Sequence, residues 1–499
     1  MRASLVVAVV ALATRVAFAD EPPAPIEPGE PAQSEPAPPA PLDEPEPPPE
    51  AIHNDEEDAG PLILVEQIDI TGNTATQSEL IRRALPIEPG DLIRAGDSRL
   101  RDARFKVLAL GYFLDVQLAM HKGSARGQVV IEVKVIERGT FTLNRLWFGT
   151  NTLTPAWLGA DVGDRNLFGL GISIGGGFIY AGHGDIAGSR NQLATELRVS
   201  DGSLFGTQVG AFGSVTFLQG SDPYRIAGTS ADDAADFNAF PYRRFGGRLG
   251  VTYDLTALTR ISAGLRLEQI QATLPVAPTA VLPDGRVTAV DLHLRPGESY
   301  VSSLGASIDR DTRPDPILPH SGGRITIAAE LGGGQYAFAT LFGGYEHWWP
   351  LRNERHTIGL RLAGGVVIGD APRFDRIHIS DVDHMLTPRA LGLVLSTAAP
   401  LDVLGTRAGK PSYGDLGGSA SLEYAARLFR GSGKDRVYGG DLFVGGGLWG
   451  LAESSDLQVR DTSLWKALPI DVYVDAGVRI DTEIGVFELT VSNALGRLR

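Results

Sequence analysis

Apolar and polar residues alternate one by one along many short segments between about residue 141 and residue 499. Near the end of the chain, Val472, Val474 and Val478 occupy one set of alternate positions, and Asp475 and Arg479 occupy the other. Successive side chains of a strand point to opposite faces, so this period of two predicts strands with one apolar and one charged face. A water-soluble sheet protein would bury the apolar face in a shared core, whereas a transmembrane barrel turns it toward lipid.

Fifteen segments carry this alternation, and short turns and long loops follow one another between them. Long loops are predicted near 219–241, 273–297 and 370–417, and this asymmetry is typical of bacterial outer-membrane barrels, which have even strand numbers. We therefore predict an all-β transmembrane barrel of about 16 antiparallel strands over residues 139–499, with Val287–Leu294 as a candidate for a further strand. The fifteen segments lie near 143–151, 155–165, 170–181, 190–200, 206–218, 243–254, 260–272, 299–310, 323–333, 336–349, 356–369, 418–429, 437–450, 470–481 and 486–496.

The charged positions of these strands are predicted to face the lumen, because a charge on the lipid face near mid-membrane costs roughly 2–4 kcal/mol. Tyr345, Trp348 and Trp349 are predicted to lie in an aromatic girdle at the membrane surface. The residues expected in the lumen are Arg266, Glu268, Arg361, Glu423, Arg427, Asp475 and Arg479.

The first nineteen residues have the features of a signal peptide. Arg2 precedes an apolar run over Leu5–Leu12, and Ala17-Phe18-Ala19 supplies small residues before a cleavage site. No other run approaches the roughly 18 apolar residues of a transmembrane helix. We therefore expect export to the periplasm, the outer membrane or the exterior, with residues 1–19 removed.

Residues 20–61 form a predicted disordered linker. Positions 20–60 hold thirteen prolines and thirteen acidic residues, without Lys or Arg, so this segment has too little apolar surface to fold. Removing these thirteen charges from the net charge of −15 leaves −2, which gives no reason to expect nucleic-acid binding. The linker is either a spacer or a tether toward a partner.

The sequence has no cysteine, which excludes thiol chemistry and cysteine-ligated metals. We find no nucleophile elbow, no zinc-ligand spacing and no convincing pair of catalytic acids. We expect a protein that is not an enzyme and holds neither a cofactor nor a metal.

A compact α+β domain is predicted over residues 62–138. Leu62–Ile70 reads as a strand, followed by a short helix with Thr76 as its cap and Glu79 completing a capping box. A second helix is predicted from about Asp97, as its N-cap, to Leu110, followed by the strands Leu114–Met120 and Val129–Ile136.

Three motifs of this domain, Ile68-Asp69-Ile70-Thr71-Gly72-Asn73, Pro89-Gly90-Asp91 and Leu108-Ala109-Leu110-Gly111-Tyr112-Phe113, resemble the POTRA family. The resemblance implies a periplasmic module that binds extended client segments at a free sheet edge. Either Leu114–Met120 or the strand from Leu64 would be that edge. The motif residues are Ile68, Ile70, Gly72, Asn73, Gly111, Tyr112 and Phe113.

Three further motifs resemble hairpins of the BamA/TamA-like outer-membrane protein assembly superfamily, also called bacterial surface antigen proteins. They are Gly163–Gly171, then Asp309–Arg313 with Pro319–Arg324, and finally Gly477–Gly485. Their order and spacing match an early turn, a middle hairpin and a closing hairpin of such a barrel. The residues that carry the likeness are Asp164, Arg165, Asn166, Gly169, Asp309, Asp311, Pro319, Gly322 and Gly485.

The same resemblance implies that the long loop 370–417 folds into the lumen and is held there by an arginine. Arg389 in Pro388-Arg389-Ala390-Leu391-Gly392 takes that place, although Ala390 and Leu391 replace the family's glycine and aromatic residue. Its implied partners are Glu423 and, as a substitute for a carboxylate the chain lacks at Gly445, Asp441.

The resemblance implies insertion, assembly or translocation of client proteins by strand capture at the POTRA edge, followed by transfer to a weak barrel seam. Its alternatives are a two-partner-type secretion pore and a passive outer-membrane channel. The implied partners are outer-membrane lipid, unfolded client proteins and periplasmic accessory proteins. The barrel is expected in the bacterial outer membrane, with the POTRA domain and linker in the periplasm.

Overall fold

The computed structural model describes residues 61–494, except 95, 150–155, 205–206, 229–232, 257, 283, 316–317, 352–354, 380–411, 431–435 and 454–469. The predicted signal peptide and the predicted linker up to residue 60 lie outside the described residues. Among the helices of the described ranges, none is long and apolar enough to cross a membrane.

The N-terminal domain is a four-stranded sheet covered by two helices. The sheet has the order β2-β1-β4-β3, with β1 and β4 parallel and the other neighbours antiparallel. Ile68, Val107 and Val116 are buried between the helices and the sheet. The elements are β1 (Ile63–Thr71), α1 (Ser78–Ala84), β2 (Leu92–Ile93), α2 (Ser98–Ala109), β3 (Phe113–Lys122) and β4 (Gln128–Glu137).

One predicted helix cap is right and the other is wrong. Asp97 caps α2, because its side chain accepts a hydrogen bond from the backbone N–H of Arg99. At α1 the N-cap is Gln77, with no side-chain cap bond, so Thr76 and Glu79 do not form a capping box. The Thr76 hydroxyl instead contacts the barrel, as described below.

The rest of the described chain forms one antiparallel sheet of fifteen strands, curved into a nearly closed barrel. All fifteen segments expected from the alternation are present. Val287–Leu294 is not a barrel strand, because Val287–Ala289 pairs with Thr279–Val281 in a separate two-stranded sheet. The barrel strands are β5 (Phe141–Gly149), β6 (Trp157–Leu167), β7 (Ile172–Ala181), β8 (Gln192–Asp201), β9 (Val209–Arg225), β10 (Phe237–Thr256), β11 (Thr259–Ala272), β14 (Gly297–Asp311), β15 (Gly322–Gly334), β16 (Phe338–Pro350), β17 (His356–Gly369), β20 (Leu416–Arg430), β21 (Val437–Ala452), β22 (Ile470–Thr482) and β23 (Gly485–Ala494).

Two small two-stranded sheets complete the fold. They consist of β12 (Thr279–Val281) with β13 (Val287–Ala289), and of β18 (Ile377–Ile379) with β19 (Ser412–Gly414). Both lie in loops at one end of the barrel, which we call the far end. The opposite end, where β5 begins beside the N-terminal domain, is the near end.

The strand faces follow the predicted alternation. Leu249, Leu304 and Leu489 point outward and are 60–70% exposed, as expected for side chains that meet lipid. Arg266, Glu330 and Glu423 are buried in the lumen, where Arg266 pairs with Glu330 and Glu423 pairs with Arg479.

Two expectations about position need correction. Trp348 is 4% exposed and its ring lies under the guanidinium groups of Arg313 and Arg361, so it is a lumen residue and not part of a girdle. The loop predicted over 219–241 is mostly strand, because β9 continues to Arg225 and β10 begins at Phe237. With 17 and 20 residues, these strands exceed the roughly 9–11 that span a membrane, so they project beyond it.

Candidate functional site

The N-terminal sheet has two edge strands, β3 and the two-residue β2. Strand β2 pairs with β1 only at Ile63 and Leu64, and β4 pairs along the other side of β1. Strand β3 pairs only with β4 among the described residues. Of the two edges left open by the sequence, Leu114–Met120 belongs to a full-length edge strand, whereas the strand from Leu64 is covered by β2 only at its start.

The domain docks on the first tight turn of the barrel, residues 168–171 between β6 and β7. The Asn166 amide donates to the Thr76 hydroxyl at 2.9 Å, and both side chains are only 3% exposed. The Gln77 backbone N–H donates to the Gly169 carbonyl at 3.1 Å. Two motifs that lie 90 residues apart in the chain thus form one joint.

Glycine is required at the centre of this joint. Gly169 has φ +73°, and a Cβ atom there would lie 2.1 Å from the Ala75 carbonyl oxygen. At Gly171, a Cβ would lie 2.8 Å from the Leu80 side chain. At Gly169 the turn lies too close to the loop before α1 for any larger residue, whereas at Gly171 the near atom belongs to a flexible side chain and the positive φ of +78° is what favours glycine.

Tyr112 adds a third contact to the joint. Its phenol donates to the Gly171 carbonyl at 3.4 Å, and the side chain is 9% exposed. Burial raises the pKa of Tyr112 to about 12, with a further upward contribution from Asp201, so the phenol stays protonated and remains a donor.

Glu137, the last residue of β4, holds the other side of the docking loop. Its carboxylate accepts the backbone N–H groups of Thr74, Ala75 and Thr76 at 2.7–2.9 Å, and the Thr74 hydroxyl at 2.6 Å. Three successive N–H groups around one carboxylate form an anion nest. Partial burial opposes ionisation, but these hydrogen bonds outweigh it and lower the pKa of Glu137 to about 2.

The residues after Glu137 contact the closing hairpin of the barrel. Arg138 pairs with Asp481 at 3.0 Å, and both side chains are less than 10% exposed. The backbone N–H of Leu143 donates to the Ile484 carbonyl at 2.7 Å. The linker between domain and barrel therefore contacts β22 of the closing hairpin through Arg138, and the start of β5 contacts the turn of the same hairpin.

The barrel seam lies between β5 and β23. Each pairs with only one neighbour in the described part of the sheet, β5 with β6 and β23 with β22. From the Leu143–Ile484 hydrogen bond toward the far end, no ladder joins β5 and β23 in the described residues. Gly485 brings the edges together at the near end, since a Cβ there would lie 2.7 Å from the Leu143 carbonyl.

The predicted loop anchor is not assembled in the described residues, because Arg389 lies outside them. Glu423, its predicted partner, already binds two arginines of the barrel wall: Arg479 at 2.7 Å and Arg361 at 3.2 Å. Asp441, the second predicted partner, contacts His320 at 3.1 Å.

A different part of the same loop enters the lumen. Residues 371–377, which we call the lumen segment, are all buried. Asp375 receives both terminal nitrogens of Arg266, at 2.8 and 3.0 Å. Arg373 donates to Asp222 at 2.6 Å. A bidentate pair fixes direction as well as distance, so the lumen segment has a defined seat.

Phe374 lies between the two ionic contacts and is fully buried. Its ring centroid is 4.6 Å from that of Tyr242, and the Arg244 guanidinium lies 4.5 Å above it. The only sign of this seat in the sequence is the triplet Arg373-Phe374-Asp375 within a long loop. The family likeness drew attention to Arg389 instead.

The remaining lumen holds a cavity of about 830 Å³ near the closing strands. Its walls carry charges of both signs, including Glu423, Asp475 and Arg479. In the part of the chain that the structure describes, no three His, Asp or Glu side chains are grouped as metal ligands would be.

Two known domain families match this chain. The Omp85 superfamily domain matches residues 166–497, and the POTRA domain, described as a surface antigen variable number repeat, matches residues 63–138. The chain belongs to the Omp85 superfamily. It is an outer-membrane β-barrel with a POTRA domain.

One curated relative and two solved structures are also similar to this chain. Outer membrane protein assembly factor BamA of Neorickettsia risticii is 34% identical over 113 residues, which is 21% of this chain and only 14% of that protein. CdiB from Escherichia coli matches with a TM-score of 0.55 at 11% identity, over 87% of this chain and 73% of that one. BamA from Haemophilus ducreyi lacking POTRA domains 1–3 has a TM-score of 0.47 at 14% identity, over 87% and 81% of the two chains.

The other Omp85 and POTRA motif residues have mostly structural roles. Asp309 accepts hydrogen bonds from Arg324 and Thr326 at 2.7 Å, and Asp311 pairs with Arg313 in the same hairpin. The remaining residues form turns, pack or cap. The Asp164 carboxylate accepts the Asn166 backbone N–H, the Arg165 backbone N–H donates to the Thr140 carbonyl, and the Asn73 amide donates to the Thr76 carbonyl. Pro319 lines the lumen cavity, and Gly72, Gly111 and Gly322 have positive φ. Ile68, Ile70 and Phe113 pack in the core of the N-terminal domain.

Replacing Gly169 with Ala should loosen the joint. Gly169→Ala adds a φ strain of about 1–2 kcal/mol and a clash with the Ala75 carbonyl. The matched control is Gly111→Ala, which shares the strain (φ +77°) but meets nothing within 4 Å. Spin labels on the POTRA domain and barrel should give a broader distance distribution for Gly169→Ala alone. Equal broadening in both variants would contradict the joint.

The nest around Glu137 should weaken in acid. Because its folded pKa of about 2 lies below the unfolded value near 4.5, its stabilisation is complete above pH 4.5 and disappears as pH falls toward 2. Hydrogen exchange at Thr74, Ala75 and Thr76, corrected for intrinsic rates, should differ between wild type and Glu137→Gln at pH 6 and converge toward pH 2. Glu79→Gln, on an exposed helix face, is the control. A difference that stays constant with pH would refute the assignment.

Proposed function

We propose that this Omp85 protein inserts or translocates client proteins at the outer membrane without catalysing a reaction. Extended client segments would pair first with the β3 edge of the POTRA domain and then with the barrel seam. The near end, with its short turns, would face the periplasm, as short turns do in bacterial barrels. The proposal rests on one observation: two unpaired strand edges lie in one chain, at β3 and at the seam.

The physical reason why a client strand would bind differs between the two edges. In the periplasm, an incoming strand gains ladder hydrogen bonds in exchange for those with water, so binding at β3 would be weak and tolerant of sequence. In the membrane, unpaired N–H and C=O groups cost several kcal/mol each, so the seam would bind a strand far more strongly. Transfer from β3 to the seam is therefore downhill.

The joint offers a route between these two edges. Glu137 anchors the docking loop, and the next residue, Arg138, binds Asp481 beside the closing turn. A change in POTRA orientation would act on β5 and on the closing hairpin that precedes β23 through this linker. Clients, periplasmic accessory proteins and surrounding lipid are the partners we propose.

Two comparisons bear on the choice of function. The N. risticii relative is named an assembly factor, which supports client assembly here. The likeness to CdiB is one of fold, and a two-partner-type secretion pore is the second candidate. The lumen segment disfavours a passive channel, because residues 371–377 occupy space through which solutes would pass.

Closing the seam should block function. The chain has no native cysteine, and the Leu143–Ile484 hydrogen bond places those backbones within disulfide range. Cells that depend on Leu143→Cys/Ile484→Cys should lose folded outer-membrane proteins when the pair is oxidised and recover them on reduction. Folded clients can be followed by their heat-modifiable electrophoretic mobility.

The control pair is Thr252→Cys/Ser262→Cys. These two positions lie opposite each other on β10 and β11, away from the seam. Its oxidation should leave client levels unchanged. If depletion of the protein itself leaves client barrels at normal levels, assembly is not its function.

Releasing the lumen segment should increase ion conductance. Asp375→Asn removes one charge of a buried pair, and a loss of about 2 kcal/mol would raise the open population roughly 30-fold. In planar bilayers, the wild type should conduct rarely, whereas Asp375→Asn and Phe374→Ala should open often. Ser419→Ala, at the cavity wall, is the control. Large, steady conductance in the wild type would favour the channel.

A further inference from the structure

The outward face of the near end carries a group of polar side chains on β14 and β16. Outward positions of the barrel hold many exposed apolar side chains, as lipid requires. Arg310, the penultimate residue of β14, is exposed on an outward position in register with Ile325 of β15. Tyr345, His347 and Trp349 occupy successive outward positions of β16. A positive charge and three rings with N–H or O–H groups thus lie together where the barrel wall ends.

Arg310 has no counter-charge in the described part of the chain. Its chain neighbours Asp309 and Asp311 point to the lumen, where they pair with Arg324 and Arg313. The Arg310 guanidinium itself makes no ion pair or hydrogen bond with the described residues. An outward arginine costs roughly 2–4 kcal/mol at mid-membrane but about 0–1 kcal/mol near the interface. At the end of its strand, Arg310 therefore belongs at the level of the lipid headgroups.

The His347 imidazole leans from β16 across β15, toward Arg310. Its ring centroid lies 6.2 Å from that of Tyr345 and 4.4 Å from that of Trp349. Opposite His347 on β15 is Gly323, where a Cβ atom would lie only 2.6 Å from the imidazole Nδ1. The missing side chain at Gly323 therefore leaves the space in which the ring lies.

The N–H groups of these rings lack partners within the described protein. Neither the His347 imidazole nor the Trp349 indole makes a hydrogen bond with a described residue. An imidazole has at least one N–H donor in either neutral tautomer and two when protonated, and an indole has one. A polar group that leaves water without a hydrogen-bond partner costs free energy. Both side chains are therefore suited to an acceptor that lies outside the protein.

The register places Arg310 and His347 on either side of a space for one headgroup. Arg310, Ile325 and Tyr345 form a row across β14, β15 and β16, and His347 lies one outward position nearer the near end. With strands about 4.8 Å apart and a rise of about 3.3 Å per residue, the Cα atoms of Arg310 and His347 are roughly 12 Å apart. A phosphate group between them would contact both side chains.

We propose that Arg310, Tyr345, His347 and Trp349, which we call the headgroup patch, bind the headgroup of one anionic phospholipid. Arg310 pairs with the phosphate through its planar fork of donors, and the His347 imidazole donates to another phosphate oxygen. The rings of Tyr345 and Trp349 lie beside the glycerol, because such side chains are apolar at one end and polar at the other.

The surface around the headgroup patch determines the kind of partner. Ile325, Leu341 and Leu362 lie beside the patch on the same outward face and are 44%, 52% and 41% exposed. The acyl chains of a lipid held at the patch would cover these side chains, whereas a soluble anion would cover none of them. The occupant is therefore a lipid and not a free phosphate ion.

The headgroup patch lies on the barrel wall opposite the seam. Counted from β5, strands β14 and β16 are the eighth and the tenth of the fifteen described strands, and the seam lies between the first and the last. The site is therefore separate from both proposed client edges. It goes beyond the proposed function and does not depend on it.

Lipid binding by the full chain tests the headgroup patch. In native mass spectrometry from a neutral detergent, titration with phosphatidylglycerol should show a first lipid that binds more tightly than later ones. Arg310→Gln removes a charge-assisted contact and should weaken binding of this first lipid about tenfold, whereas Arg310→Lys keeps the charge and should weaken it less. His347→Phe keeps a stacked ring but removes the donor, and should weaken binding about fivefold.

The matched control is Arg243→Gln. Arg243 is also an exposed, outward arginine, but it lies on β10 toward the far end, and its register partners are Gln219 and Gln271 instead of aromatic residues. This variant should bind the first lipid as the wild type does. Heat-modifiable mobility confirms that each variant is folded.

Three results would overturn the proposal. Equal weakening by Arg310→Gln and Arg243→Gln would show that the lipid is attracted by charge alone. Unchanged binding of the first lipid in both Arg310→Gln and His347→Phe would place that lipid elsewhere. Displacement of the lipid by inorganic phosphate would indicate a site for soluble anions. Client handling is tested separately by the seam disulfide, so the failure of either proposal leaves the other standing.

Discussion

A strand that crosses a membrane must find all its hydrogen-bond partners within protein, because lipid offers none. This constraint accounts for most of the molecule. It requires each of the fifteen strands to have a neighbour on both sides, and the described chain provides this for thirteen of them. The two exceptions are β5 and β23, and their beginnings are joined by the hydrogen bond from Leu143 to Ile484 beside the linker from the POTRA domain.

The lumen shows how the same barrel is stabilised without an apolar core. Arg266 is surrounded by Asp375, Glu268 and Glu330, so its charge is compensated although it is nearly buried. A buried ion pair contributes little net stability but enforces one geometry, because a misplaced partner leaves a charge uncompensated. The arginines therefore position the lumen segment more than they stabilise the barrel.

The alternation of side chains was sufficient to locate the barrel strands, because a period of two is a local property of each segment. Sequence could not place the loop, since Arg373 and Arg389 are equally plausible anchors until the position of Asp222 is known. The cap at Thr76 failed for a related reason: its hydroxyl binds Asn166, a residue 90 positions away. Trp348 was misplaced because lipid-facing and lumen-facing aromatic residues look alike without the strand register.

The number of described barrel strands follows from the same pairing register. The rule that bacterial barrels have even strand numbers predicted about sixteen strands instead of the fifteen described. That rule describes barrels whose first and last strands pair with each other antiparallel. Val287–Leu294 was the predicted candidate for a sixteenth strand, but Val287–Ala289 pairs with Thr279–Val281 in a separate hairpin. Among the described residues, β5 and β23 run in the same direction, so a ladder formed directly between them would be parallel.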